Sequence, residues 1–215
     1  MKKNKTRTQS FGSSGRQEHD SSLFYESKLY KNLNFKEDTQ NNIEGSIQED
    51  AINQIFLKSS TKMSKLPDKT IHLMITSPPY NVSKDYDENL SLEEYLNFLN
   101  KVFSETYRVL VNGGRACINI GNIGRKPYIP LSDYISKMMI DIGFLMRGEI
   151  IWNKSASSGT STAWGSWCSP SNPTLRDVHE YILIFSKGAY KREKQDKKSQ
   201  FKKNNLLNGQ NLFGI

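Results

Sequence analysis

The residues best suited to chemistry form a short corner between a strand and a helix. The apolar residues 71–76 predict a buried strand, and Ser77-Pro78-Pro79-Tyr80 follows it directly. Two successive prolines stiffen the backbone and remove two N–H donors, so the corner offers acceptors rather than donors. A small hydroxyl, a proline carbonyl and a phenol ring on one rigid frame suit a planar amine, which needs acceptors for its N–H bonds and a surface for stacking. We interpret the corner as a site for such an amine rather than as an ordinary strand-ending turn.

Alternating strands and helices must hold this corner in place. Apolar residues at helical spacing predict a helix over about 92–110, capped by Ser91 and ended by Asn112-Gly113-Gly114, and a second helix over 131–142, stopped at Gly143. The predicted strands are 55–57, 71–76, 115–120, about 145–153 and about 178–186, and the run 71–76 is of the type buried on both faces. The alternation favours an α/β fold with a partial doubly wound, mostly parallel sheet. In such sheets ligands bind at the carboxyl ends of the strands.

Composition and charge exclude several classes of protein. No run of about 18 apolar residues predicts a membrane span, and no apolar stretch follows the basic N-terminus as in a secretory signal. The two cysteines are too few for a disulfide framework, and no Cys/His spacing suggests a metal site. This cysteine content fits a protein of the reducing cytoplasm. The net charge of +8 is concentrated at 1–21 and 187–203. These segments are either merely solvated or attract phosphate without sequence specificity.

The corner and the stretches around it resemble one family. Ser77-Pro78-Pro79-Tyr80 resembles motif IV of the DNA amino-methyltransferases, which methylate cytosine N4 or adenine N6. The wider resemblance covers about 50–190 and lies in the segments 76–96, 108–131, 143–167 and 175–188. A serine in the first position is typical of the N4-cytosine enzymes, and adenine N6 stays open as an alternative.

The resemblance implies roles for individual residues. The base is flipped out of the duplex because its amino nitrogen is unreachable in the stack. Ser77 and the Pro78 carbonyl would accept hydrogen bonds from the amine, Tyr80 would stack on the base, and Asn119 would be a second polar partner. The implied catalytic set is Ser77, Pro78, Pro79, Tyr80 and Asn119, and the implied contacts to S-adenosylmethionine are Thr76, Ser77, Pro78 and Asp85, with no metal.

A long polar loop over 154–176 is the expected contact to double-stranded DNA. Loops of this length in a compact domain are usually functional or disordered. The residues expected to touch DNA are Lys154, Trp164, Trp167 and Arg176, and core packing is the alternative for the tryptophans. Trp152 and Cys117 are expected in the core.

The resemblance also implies an incomplete class I methyltransferase. In this branch motif IV comes first and a Phe-x-Gly-x-Gly cofactor loop comes last, and no such loop is present here. We expect four regions, namely a disordered basic tail (1–21), a helix and loop (22–50), the catalytic part (51–190) and a basic linker with an aberrant tail (191–215). The predicted function is site-specific cytosine-N4 methylation of restriction–modification type, with a complementing fragment or a cognate restriction enzyme as protein partner and no membrane. Adenine-N6 methylation and an inactive nucleic-acid-binding fragment are the alternatives.

Overall fold

The first of two units contains a strand pair and two single-turn helices. The computed structural model describes residues 6–8, 16–19, 22–31, 43–81, 90–124, 126–155 and 178–192, divided into units Met1–Glu37 and Asp38–Ile215. In the first unit β1 (Thr6–Thr8) pairs antiparallel with β2 (Arg16–His19), and α1 (Ser22–Tyr25) and α2 (Lys28–Lys31) follow. Both strands lie in the segment for which disorder is predicted, so the structure differs from the prediction there. Backbone pairing needs no apolar side chains, which is why composition did not reveal it.

The second unit alternates strands with helices, as the periodicity predicts. After a 3₁₀ turn at Glu49–Ala51 come β3 (Ile71–Thr76), α3 (Leu92–Val109), β4 (Leu110–Ile120), α4 (Leu131–Ile142), β5 (Phe144–Asn153) and β6 (His179–Lys187). Ser91 caps α3 in a full capping box with Glu94. Gly143 ends α4 at a φ of 112°, a left-handed conformation that favours glycine.

Four strands form one sheet in the order β3-β4-β6-β5. The β3–β4 pair is parallel, joined by the crossover helix α3, whereas β6 runs antiparallel to both β4 and β5. The α/β class is therefore confirmed, but the described sheet is mixed rather than mostly parallel. Strand direction depends on the path of each connection, which a hydrophobic pattern does not encode.

The two helices cover one face of this sheet. Residues of β4 and β6 that point toward the helices are fully buried, as are the facing residues of α3 and α4. The cluster includes Phe103, Ile118, Ile135, Leu183 and Phe185. Burial of these side chains supplies the main favourable term in folding this unit.

The opposite face of the sheet is open. Leu73 is 52% exposed and Ile75 71%, although the run 71–76 is predicted to be buried on both sides. Trp152, expected in the core, is 50% exposed on the same face, and Cys117 is half-buried. These predictions are wrong because no described helix packs on this face.

Two local assignments also need correction. Residues 55–57 form no strand, and the side chains of Ile55 and Leu57 are fully exposed. Helix α3 ends at Val109, and Asn112-Gly113-Gly114 continue strand β4 instead of ending the helix. No helix among the described residues is long and apolar enough to cross a membrane.

Candidate active site

The proline corner lies where β3 ends beside β4. The parallel register pairs Thr76 with Ile118. The residues that come next along the two strands, Ser77 and Asn119, therefore reach the same edge of the sheet. Ser77 is exposed and Asn119 half-buried. The two polar residues that the sequence predicts as partners of an amine are thus brought together at the carboxyl end of the parallel pair, where ligands bind in such sheets.

Hydrogen bonds to α3 and to the segment before it hold the proline corner and the residue that follows it. Pro78 is buried, and the Pro79 carbonyl accepts a hydrogen bond of 2.7 Å from the hydroxyl of Tyr95 on α3. Asn81 adopts a left-handed φ of 54°, which Asn tolerates better than most residues. Its side chain donates to the Leu90 carbonyl at 2.5 Å and accepts from the Leu90 N–H at 3.2 Å. Asn81 therefore joins the two ends of the loop that follows the corner.

Tyr80 packs its ring against the start of the turn after β4. A Cβ added at Gly121 would lie 3.3 Å from Tyr80 Cε2 and 3.5 Å from Glu180 Cγ, so glycine allows both side chains to approach the backbone. Ser77, Glu180 and the Gly121 backbone lie close enough to the Tyr80 phenol to shift its pKa. The Tyr80 ring therefore packs at Gly121 beside the Glu180 side chain.

Glu180, near the start of β6, connects the residues around the corner. Its carboxylate accepts a hydrogen bond of 2.7 Å from Asn119 Nδ2 and a short one from Lys154 Nζ. The Lys154 ammonium also lies 5.0 Å from the centre of the Trp152 ring. The other amide atom, Asn119 Oδ1, is buried and has no hydrogen-bond partner among the described residues. The site thus contains one unused buried acceptor.

Electrostatics keep Glu180 ionised and Tyr80 protonated. Burial alone would raise the pKa of Glu180, but the hydrogen bonds from Lys154 and Asn119 and the Lys154 charge outweigh burial and hold the pKa below its usual value. Burial first, and the neighbouring Glu180 charge second, raise the pKa of Tyr80. Near neutral pH the site therefore pairs a carboxylate with a neutral phenol.

The described residues include some of the predicted site and omit the rest. Asp85, Trp164, Trp167 and Arg176 lie outside the described residues, so their roles stay predictions. Lys154 is described and contacts Glu180, and its expected contact to DNA stays a prediction as well.

Sequence reasoning missed four contributors to the site, namely Asn81, Tyr95, Gly121 and Glu180. A charged residue inside the apolar strand 179–187 is the signal that would have found Glu180. Tyr95 gives no such signal, because an aromatic residue on the buried stripe of a helix is ordinary core.

The residues at this edge fit the methyl donor that the family resemblance implies. A half-buried aromatic ring, Tyr80, beside the ionised Glu180 carboxylate suits a sulfonium cation. Thr76, Ser77 and Pro78 are the residues that would hold its methyl-bearing end. Within the described part of the chain, no three His, Cys, Asp or Glu side chains cluster as a metal site.

Comparisons with known proteins agree on one family. A family model for N6/N4 methyltransferases, described as DNA methylase, matches residues 71–213. The chain is 37% identical over 131 residues to the type II methyltransferase M.MjaVI of Methanocaldococcus jannaschii, covering 59% of this chain and 67% of that enzyme. It is 31% identical over 169 residues to M.MjaI of the same organism, and this alignment covers 63% of this chain and 55% of that enzyme.

A solved structure gives the same assignment. TTHA0409 of Thermus thermophilus, a putative DNA modification methylase complexed with S-adenosyl-L-methionine, aligns with a TM-score of 0.50 at 25% identity. The alignment covers 67% of this chain and 59% of that protein. The chain therefore spans about two thirds of M.MjaVI and little more than half of M.MjaI and TTHA0409.

Proposed function

The chain belongs to the N6/N4 DNA methylase family, and from this membership we propose that it transfers a methyl group from S-adenosylmethionine to a base in double-stranded DNA. The acceptor would be the exocyclic amine of cytosine, N4, because serine opens the corner, and adenine N6 is the alternative. The observation that carries the proposal is the pairing of Ser77 and Asn119 beside Tyr80 at the end of β3. The names of the relatives as type II methyltransferases support a role in restriction–modification.

Recognition of the base would rest on acceptors and stacking. A base inside the duplex cannot reach the corner, so the target nucleotide would be extruded. Ser77 Oγ, the Pro78 carbonyl and Asn119 Oδ1 would accept from the two N–H bonds of the amine. Stacking on the Tyr80 ring would add about 1–3 kcal/mol.

Chemistry would then be a direct displacement. When bound, S-adenosylmethionine would supply a methyl group on its sulfonium sulfur, which would leave as a neutral thioether. The amine nitrogen would gain the methyl group and release one proton to water. Acceptors on the N–H bonds hold the amine so that its lone pair points out of the ring plane toward the methyl carbon. Positioning and fixed polar groups would supply most of the acceleration.

A product analysis tests the proposal. The chain is incubated with S-adenosylmethionine and plasmid DNA free of prior methylation, and the DNA is digested to nucleosides for mass spectrometry. We expect N4-methyl-2′-deoxycytidine, absent when the chain is left out. N6-methyl-2′-deoxyadenosine would show that adenine is the base instead. The absence of both methylated nucleosides would contradict the proposed transfer.

A second candidate is nucleic-acid binding without transfer. It is favoured by the concentration of positive charge at 1–21 and 187–203, because Lys and Arg side chains attract the phosphate backbone of nucleic acids. Equilibrium dialysis with labelled S-adenosylmethionine separates the two, since a protein that only binds DNA retains no cofactor above background. A complementing fragment and a cognate restriction enzyme stay predicted partners.

A further inference from the structure

Two donors from distant parts of the chain meet at the Glu180 carboxylate. Lys154, just beyond β5, and Asn119 on β4 each donate a hydrogen bond to it, and the Tyr80 ring packs beside it at Gly121. Glu180 lies 61 residues from Asn119 and 26 from Lys154 in the chain, so only the sheet brings them together. Neither the resemblance nor the comparisons assign a role to this residue.

The ionised carboxylate has no proton to donate, and this fixes the direction of each hydrogen bond. Asn119 must present its Nδ2 group to Glu180, which leaves Oδ1 on the other side of the amide. Oδ1 is the buried atom that has no partner among the described residues. The orientation of the amide therefore follows from the charge on Glu180.

We propose that Glu180 is a positioning residue which orients the Asn119 amide so that its Oδ1 atom, and not its Nδ2 group, is offered to an exocyclic amine. This inference rests on the proposed function. An amine has two N–H donors, so a reversed Asn119 amide would put a donor against a donor. Lys154 holds the carboxylate in place and compensates its partly buried charge.

The experiment compares Glu180→Gln with Glu149→Gln in the full chain. Glutamine keeps the size of Glu180 but removes its charge and introduces a donor, whereas Glu149 is exposed on the neighbouring strand β5. We expect Glu180→Gln to lower kcat for methyl transfer at least tenfold with KM for DNA changed less than threefold. Glu149→Gln should leave both unchanged.

A second readout needs no turnover. NMR is recorded on chains with isotope labels in the tyrosine ring and the asparagine side-chain amide. The Asn119 amide protons should be protected from exchange with solvent, and the pKa of the Tyr80 phenol should lie above that of an ordinary tyrosine. Tyr80→Phe identifies the phenol signal and Asn119→Ala the amide signal. Glu180→Gln should expose the amide to exchange and bring the phenol titration toward the ordinary value.

Two results would overturn the inference. One is an Asn119 amide and a Tyr80 titration that do not change in Glu180→Gln. The other is a kcat that stays within twofold of the unmodified chain. If the unmodified chain transfers no methyl group at all, the proposed function fails, and the NMR signals alone then decide whether Glu180 orients the Asn119 amide.

Discussion

The two faces of the four-stranded sheet are built from similar residues and differ sharply in burial. On the face covered by α3 and α4, Ile118 and Phe185 are fully buried. On the other face Ile75 is 71% exposed and Ile150 51%. Both sets sit on adjacent strands of one sheet, so residue type alone does not determine which face is covered. The covered face holds the fold together, and the open face has apolar surface that nothing described packs against.

The largest expected effect comes from truncating the same residue type on each face. Ile118→Ala should lower the free energy of unfolding by about 2–5 kcal/mol, because it leaves a cavity in a packed core. Ile75→Ala, on the exposed side, should cost less than about 0.5 kcal/mol. Urea unfolding of the two variants measures the difference. Equal losses would mean that the open face is covered in solution.

The second effect is on association rather than stability. Beside this apolar face, the outer edge of β3 pairs with no described strand, and the combination predicts concentration-dependent self-association. Ile75→Lys should reduce light scattering of concentrated chain while leaving the melting temperature within about 2 °C. In the control Lys58→Ile, the opposite exchange places an apolar residue on an exposed loop away from this face's strands. An unmodified chain that stays monomeric with a sharp melting transition would refute this prediction.

The smallest expected effect is on how the free energy of unfolding depends on pH and concerns Glu105, which joins helix α3 to the segment before β3. A hydrogen bond from Arg108 lowers the pKa of Glu105 to about 2, and Glu105 in turn accepts from the Met63 N–H at 2.7 Å. Because this pKa lies below the ordinary value of 4.5, the stabilisation is complete above pH 4.5 and disappears as the pH falls toward 2.

Glu105→Gln should therefore cost about 1 kcal/mol or less at pH 7, and the cost should shrink steadily as the pH falls toward and below the folded-state pKa. Urea midpoints at several pH values measure this, with Glu149→Gln as the control for a general loss of charge. A cost that does not change with pH would assign the contact to packing instead.

The covered face and its helices follow from local signals. The 3.6-residue period of α3, its serine cap and the left-handed Gly143 after α4 are short-range features, and the structure confirms them. The proline corner likewise lies at the strand end where the sequence predicts it. These parts depend on residues within a few positions of one another.

The rest depends on long-range arrangement. The antiparallel direction of β6, the exposure of Trp152 and the meeting of Asn119 with Glu180 arise from pairing between distant segments. Residues 55–57 show the same limit, because a strand-like run forms a strand only where a neighbour offers backbone partners. No period or spacing in the sequence contains that information.

The central claim is that Ser77 offers its oxygen to the amine that receives the methyl group. The most direct test compares methyl transfer to DNA by Ser77→Ala and by Ser59→Ala, because the Ser59 hydroxyl is hydrogen-bonded to Thr61 on an exposed loop. Ser77→Ala should lower kcat about tenfold or more, with duplex affinity little changed and Ser59→Ala unaffected. Turnover by Ser77→Ala equal to that of the unmodified chain would contradict the account.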